Sequence, residues 1–231
     1  MKTHFKAAIT SVAFAVLAIA AAPRAQATPV STGELELISG ATVVMVPTTG
    51  GVATYNGPVG TFSINVTTGI TYPVQGTLSA PYMDLSSVDV SGGTGALEIL
   101  FSATGFGPTS GTLLSEIGGT VNNSGGSIAY STYDSTTNAL FAQTTLLTSE
   151  GPYGAGAFSG SALSSVVSLA SPYSLTEVIN ISHSAGGVSS FDANLSKVPD
   201  GGWTVALLGI TLGGLEMLRR KMAGAGNDMI A

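Results

Sequence analysis

Cysteine is absent from this chain of 231 residues, so no disulfide framework exists and any exported fold must rest on its core and backbone pairing. Positive charge is almost as scarce. Between Thr28 and Ser196 there is no Lys and no Arg, while Glu34, Glu36, Asp84, Asp89, Glu98, Glu116, Asp134, Glu150, Glu177 and Asp192 are spread singly. Nucleic-acid binding needs clustered cations to displace counterions, and is excluded as a partner class. One histidine, His183, lies beyond residue 4, which leaves little for zinc or for a Ser-His-Asp arrangement. Motifs are missing too: there is no G-x-S-x-G elbow, P-loop, H-E-x-x-H or Cys nucleophile. The sequence therefore predicts no enzyme and no cofactor.

What is present begins with an export signal. Lys2 and Lys6 form a basic n-region, Ala7 to Ala22 an apolar h-region, and Ala25-Gln26-Ala27 a small-residue cleavage site. Residues 1–27 read as a secretory signal peptide, with the mature chain starting at Thr28.

Residues 28–197 read as one all-β domain, long enough for a sizeable core and without a composition break. Short apolar or alternating runs are cut every eight to twelve residues by Gly, Pro, Ser, Thr or Asn. The pattern predicts strands at 34–38, 42–46, 60–66, 70–74, 85–90, 96–102, 112–117, 127–133, 139–147, 162–169, 174–182 and 188–195. Asn56-Gly57-Pro58, Ser91-Gly92-Gly93, Asn123-Ser124-Gly125-Gly126 and Ala185-Gly186-Gly187 read as turns. Many short strands of even spacing predict a β-sandwich, jelly-roll or Ig-like. Its outward positions would be rich in Ser and Thr.

Ligand candidates are few. Asp84 and Asp89 flank a turn-prone stretch and are the candidates for calcium, although their spacing matches no known loop. Tyr82, Tyr130 and Tyr133 are candidates for stacking on sugar rings. A hydrolase would have to combine His183 with Asp84, Asp134 or Asp192. The sequons at Asn65, Asn122, Asn180 and Asn194 are expected by chance in a chain so rich in Ser and Thr.

The most informative stretch is the tail. Val198-Pro199-Asp200-Gly201-Gly202 is a small polar turn, Trp203 to Leu218 an apolar run, and Arg219-Arg220-Lys221 a basic stop. As a helix the run would be roughly 24 Å long against a bilayer core of roughly 30 Å. Snorkelling of the three cations and an interfacial Trp203 would make up the difference. Residues 223–231 extend past the stop.

The order of turn, apolar run and basic stop resembles the C-terminal sorting domain of PEP-CTERM proteins, in the variant that begins VPD. The resemblance covers residues 198–222 only. It implies that the partner is an exosortase, a membrane-embedded transpeptidase that recognises the motif and cleaves near it. It also implies a membrane-anchored precursor, then a cell-surface or extracellular-matrix protein associated with exopolysaccharide and biofilm. No catalytic residue is carried over, because the chemistry belongs to the enzyme and this chain is its substrate. The reading from sequence is a structural surface protein; the alternatives are a carbohydrate-binding module or adhesin using exposed tyrosines, and a hydrolase.

Overall fold

The computed structural model describes residues 32–122, 124–199 and 211. The signal peptide and most of the sorting tail lie outside these residues. Among the described residues no helix is long and apolar enough to cross a membrane.

Among the described residues there are fourteen strands: β1 (Gly33–Ser39), β2 (Thr42–Pro47), β3 (Val52–Val59), β4 (Phe62–Ile70), β5 (Tyr82–Gly92), β6 (Gly95–Phe106), β7 (Thr109–Gly111), β8 (Leu113–Asn122), β9 (Ser127–Ser135), β10 (Thr145–Tyr153), β11 (Gly156–Leu163), β12 (Val167–Leu169), β13 (Tyr173–His183) and β14 (Gly187–Lys197). They form two six-stranded sheets, ordered β10-β9-β13-β6-β1-β2 and β11-β8-β14-β5-β4-β3, plus a two-stranded β12-β7. Every pair is antiparallel.

The strands form because apolar residues recur at every second position. In β1, Leu35 and Leu37 are buried while Glu34 and Glu36 turn outward, and in β5 Met83, Leu85, Val88 and Val90 face inward. Inward residues of both sheets, among them Phe62, Ile64, Ile99, Phe101, Ile179, Phe191 and Leu195, make one core. An alternation of period two with one face buried pins the register, because a slip of one residue would turn the apolar set to water.

Connection lengths fix how the sheets stack. At one pole, β5 joins β6 through Gly93-Thr94, and β10 joins β11 through Gly154-Ala155, each crossing between sheets. Two linking residues give three Cα–Cα steps, or at most ~11 Å. Packed sheets lie about 10 Å apart, so such strands must lie over one another. The pairs β9:β10, β8:β11, β6:β13 and β5:β14 then nest one inside the next, as in a jelly roll. The β1–β2 and β3–β4 hairpins extend the two sheets beyond β6 and β5.

Four sequence-based expectations are overturned near sheet edges, the first being the stretch 162–169, which is broken at 164–166 between the end of β11 and β12. Asn56-Gly57-Pro58 is not a turn but the middle of β3, where Pro58 pairs with Ser63. β3 is the last strand of its sheet, so a proline without an N–H is tolerated there. The stretch 70–74 is the end of β4 and the start of a loop. The stretch 139–147 is mostly a loop over the outer face of the first sheet. There the Phe141 amide donates to Ser102 Oγ (3.0 Å), the Gly105 amide to Asn138 Oδ1 (2.7 Å) and Thr176 Oγ1 to Ala142 O (3.3 Å). The edge strand that follows, β10, carries Gly151-Pro152, which reads as a breaker in sequence.

Candidate functional site

β14 carries the chain to the sorting signal along the middle of the second sheet, held by β5 on one side and β8 on the other. The pairing does not fray before the motif. The Lys197 amide donates to Pro81 O (3.1 Å) and the Val198 amide to Thr112 O (2.9 Å). Pro199 is exposed. The remainder of the predicted motif, Asp200, Gly201 and Gly202, and the stop Arg219, Arg220 and Lys221 lie outside the described residues.

A second feature lies on the outer face of the same sheet. β5 bulges opposite Asp192, because Phe191 pairs with Val88 and Ala193 with Leu85, which leaves Ser86 and Ser87 against one residue. Ser87 sits at φ 52°, and its amide donates to Asp192 Oδ1 (2.5 Å). That bond satisfies a donor the bulge takes out of the ladder. Ser86 Oγ donates to Asp84 Oδ2. Beside Asp192 on β8 stands Gly118, whose missing side chain leaves a groove of about 240 Å³ lined by Ser87, Asp89, Gly118, Gly119, Ser190 and Asp192. Thr120 and Ser190 hydroxyls bond beside it (3.1 Å).

The calcium candidates Asp84 and Asp89 thus share a face, on either side of the bulge. Among the described residues no group of three His, Cys, Asp or Glu side chains is arranged to hold a metal. Partial burial pushes the Asp84 carboxyl up; the Ser86 hydroxyl opposes this and the charge of Asp192 adds to it. With hydroxyls and carboxylates at its walls, the groove is built to accept hydrogen bonds from a polyhydroxylated molecule.

The interior holds a third cluster that the sequence pattern does not announce. Glu177 sits in β13 at a position that alternates with Leu175 and Ile179, and is wholly buried. Tyr130 of β9, also buried, donates to Glu177 Oε1 (2.6 Å); among the described residues Glu177 Oε2 has no hydrogen-bond partner. Nearby, Ser115 Oγ of β8 donates to Glu150 Oε1 (2.6 Å), and Thr132 and Thr148 share a hydroxyl bond (2.6 Å). Burial pushes the Glu177 carboxyl up to about 8, against the opposing Tyr130 hydrogen bond and with a further push from the charge of Asp84. Glu177 is therefore mainly neutral at pH 7. An ionised carboxylate there, without a cation, would cost several kcal/mol. Burial also raises Glu150, opposed by the Ser115 and Tyr153 hydroxyls.

Of the remaining candidates, His183 is buried with both ring nitrogens engaged. Nδ1–H donates to Gly92 O (2.9 Å), which leaves Nε2 to accept from Ser189 Oγ (2.9 Å), and the ring tilts against Phe62. Asp134 is buried at the opposite end of the first sheet, as the penultimate residue of β9. The stacking candidates do not converge. Tyr130 is buried in the core, which corrects its reading as an exposed ring; Tyr82 and Tyr133 are half-buried on the outer faces of different sheets. Ser115, Glu150 and Glu177 were missed because each looks like an ordinary polar residue in a strand. The one available signal was that Glu177 sits in step with apolar neighbours two residues away on both sides.

Comparison with known proteins gives one family match. Residues 197–222 match the VPDSG-CTERM motif, a PEP-CTERM-type sorting signal, with Gly201 standing where that name has Ser. No curated protein sequence matches the chain. Among solved structures, similar folds include a carbohydrate-binding module of a Cellvibrio mixtus lichenase in complex with cellotriose, at 13% identity over 48% of this chain and 79% of that chain, TM-score 0.28. The adhesin domain of Epf from Streptococcus pyogenes is similar at 14% identity over 71% and 57%, TM-score 0.34. A PA14 sugar-binding domain from an RTX adhesin is similar at 11% identity over 73% and 90%, TM-score 0.31. At such low TM-scores these likenesses assign neither ligand nor function to this chain.

Proposed function

We propose that this chain is a structural surface protein whose β-sandwich is cargo and whose tail is a temporary membrane handle, removed by an exosortase as the domain passes to the cell surface or the extracellular polysaccharide. The sorting signal marks an exported, cell-surface protein; the anchored precursor, the processing and the matrix association are the proposal. One observation carries it: the last central strand ends at Lys197 and the signal begins at residue 197, so the folded domain is handed to the sorting motif without a linker. The role is taken to be mechanical rather than catalytic. Mass spectrometry of the surface protein should find no peptide between Trp203 and Ala231, and an intact tail on mature protein would refute processing.

A second reading, a polysaccharide-binding module, is favoured by the groove at Gly118. Its carboxylates and hydroxyls suit a neutral sugar chain and would repel an acidic one. Retention of the surface protein on one polysaccharide, lost in Asp192→Ala together with Asp89→Ala, would support it. Retention that is unchanged by both substitutions would rule the groove out.

A further inference from the structure

All ten carboxylates between Thr28 and Ser196 lie within strands, so the loops at both poles of the sandwich are uncharged. The poles differ in other ways. At the pole where β14 ends, three long loops surround the exit: 71–81, 107–112 and 164–172. They are bonded into one surface by the Gly107 amide on Leu78 O (2.7 Å), Thr109 Oγ1 on Ser79 O (3.3 Å), the Ser164 amide on Leu113 O (2.9 Å) and the β7–β12 pair. Large apolar side chains stand out from this surface. Val166 is 80% exposed, Leu163 at the end of β11 64% and Val74 49%. They flank the exit, since the loop with Val74 joins β4 to β5 on one side of β14, and β11 lies beyond β8 on the other.

The tether to whatever lies below is short. Val198 is still bonded to Thr112, and only Pro199, Asp200, Gly201 and Gly202 separate it from Trp203, where the apolar run begins. Five Cα–Cα steps span at most roughly 18 Å. An apolar run in the bilayer therefore keeps this pole near the lipid interface and the far pole away from it, since the eleven residues of β14 span roughly 36 Å. The acidic flat faces are kept away from anionic headgroups, and the loops of the pole that meets them carry no carboxylate; Lys197 stands at the exit, and Asp200 in the tether is the one acid next to it.

We propose that this pole is a membrane-docking surface: in the precursor Val74, Leu163 and Val166 rest in the headgroup region, so the domain stands on the bilayer with the sorting motif beneath it. This rests on the reading of the tail as a membrane anchor, and the test separates the two. The chain has no cysteine, so single cysteines can be placed in the full-length precursor without a background. An environment-sensitive fluorophore goes on Gln75→Cys or Ser165→Cys at this pole, Thr61→Cys or Ala155→Cys at the other, and Leu208→Cys in the tail. The precursor is reconstituted in vesicles of phosphatidylethanolamine and phosphatidylglycerol that carry a headgroup quencher or an acyl-chain quencher.

Docking is expected to cost the Gln75 and Ser165 labels most of their fluorescence with the headgroup quencher, and the Thr61 and Ala155 labels almost none. The Leu208 label should be quenched from the acyl chains. Adding Leu163→Glu and Val166→Glu, both at exposed positions, should restore the pole labels while the Leu208 label stays quenched. Equal signals at the two poles with Leu208 still quenched would overturn docking and leave the anchor standing. An unquenched Leu208 label would overturn both. Pole labels that are shielded only after an exosortase is co-reconstituted would assign the surface to the enzyme and overturn lipid docking.

Discussion

The two poles of the sandwich solve different problems. The pole away from the tail is closed by Gly40-Ala41, Gly60-Thr61, Gly93-Thr94, the β8–β9 turn with Ser124 to Gly126, Gly154-Ala155 and Ser184 to Gly186, connections so short that they dictate which strands pair and which stack. The pole that releases the tail has an eleven-residue loop from Thr71 to Pro81, a loop from Thr136 to Thr144 and a small extra sheet. Short connections fix strand pairing at one end, while the other carries the longer loops, Val74, Leu163 and Val166, and the exit; Val188, 47% exposed, is a lone apolar side chain near the first end. Loops positioned by a rigid scaffold in this way are where proteins place their contacts with other molecules.

The largest effect that would test this division is expected at Gly93. It has φ +67°, and a Cβ there would press into the ring of Phe62. Gly93→Val should cost about 2 to 4 kcal/mol in urea unfolding, whereas a two-residue glycine insertion after Ser165 at the tail pole should cost less than about 1 kcal/mol. Similar losses at both would erase the distinction.

Between the poles, the buried acid gives the next effect. Glu177 holds its proton to about pH 8 in the fold but only to its ordinary 4.5 when unfolded. Between those values the unfolded chain binds fewer protons, so stability is full below pH 4.5 and falls as pH rises to 8. The fall is about 4 kcal/mol for a shift of this size. Glu177→Gln should flatten most of that slope in chemical denaturation repeated across pH; an unchanged slope would remove Glu177 as its source.

Truncation after Val198 should alter stability by less than about 1 kcal/mol, because the last domain hydrogen bonds are kept, yet abolish surface sorting. A sizeable loss of stability would mean that the tail pole is part of the fold's foundation. The smallest effect is expected from Val166→Glu, within about 0.5 kcal/mol in thermal unfolding. Its consequence would be seen at the membrane alone.

Much of this architecture was legible in the chain. Alternation in Leu35, Leu37, Met83, Leu85, Val88 and Val90 gave inward faces, and the glycine turns gave boundaries. The edges were not legible, because Pro58 in β3 and Gly151-Pro152 in β10 are breakers everywhere except on a strand with one free side. The grouping of acids was equally hidden. Asp84, Asp89 and Asp192 are far apart in sequence and share a face only through the β5–β14 pairing; Glu150 and Glu177 approach Tyr130 only through β9.

By itself, the sequence determined the tail: turn, apolar run and basic stop are local features whose meaning depends on order and length alone. It also determined that the ectodomain is β-rich and that every charged side chain from Thr28 to Ser196 is acidic; that all of them lie within strands is seen only in the fold. Tertiary structure decided where that tail leaves the domain, which loops and exposed aliphatic side chains surround it, and which acids are neutral in the interior. Those are properties of strand pairing across up to a hundred residues or more, and no local pattern encodes them.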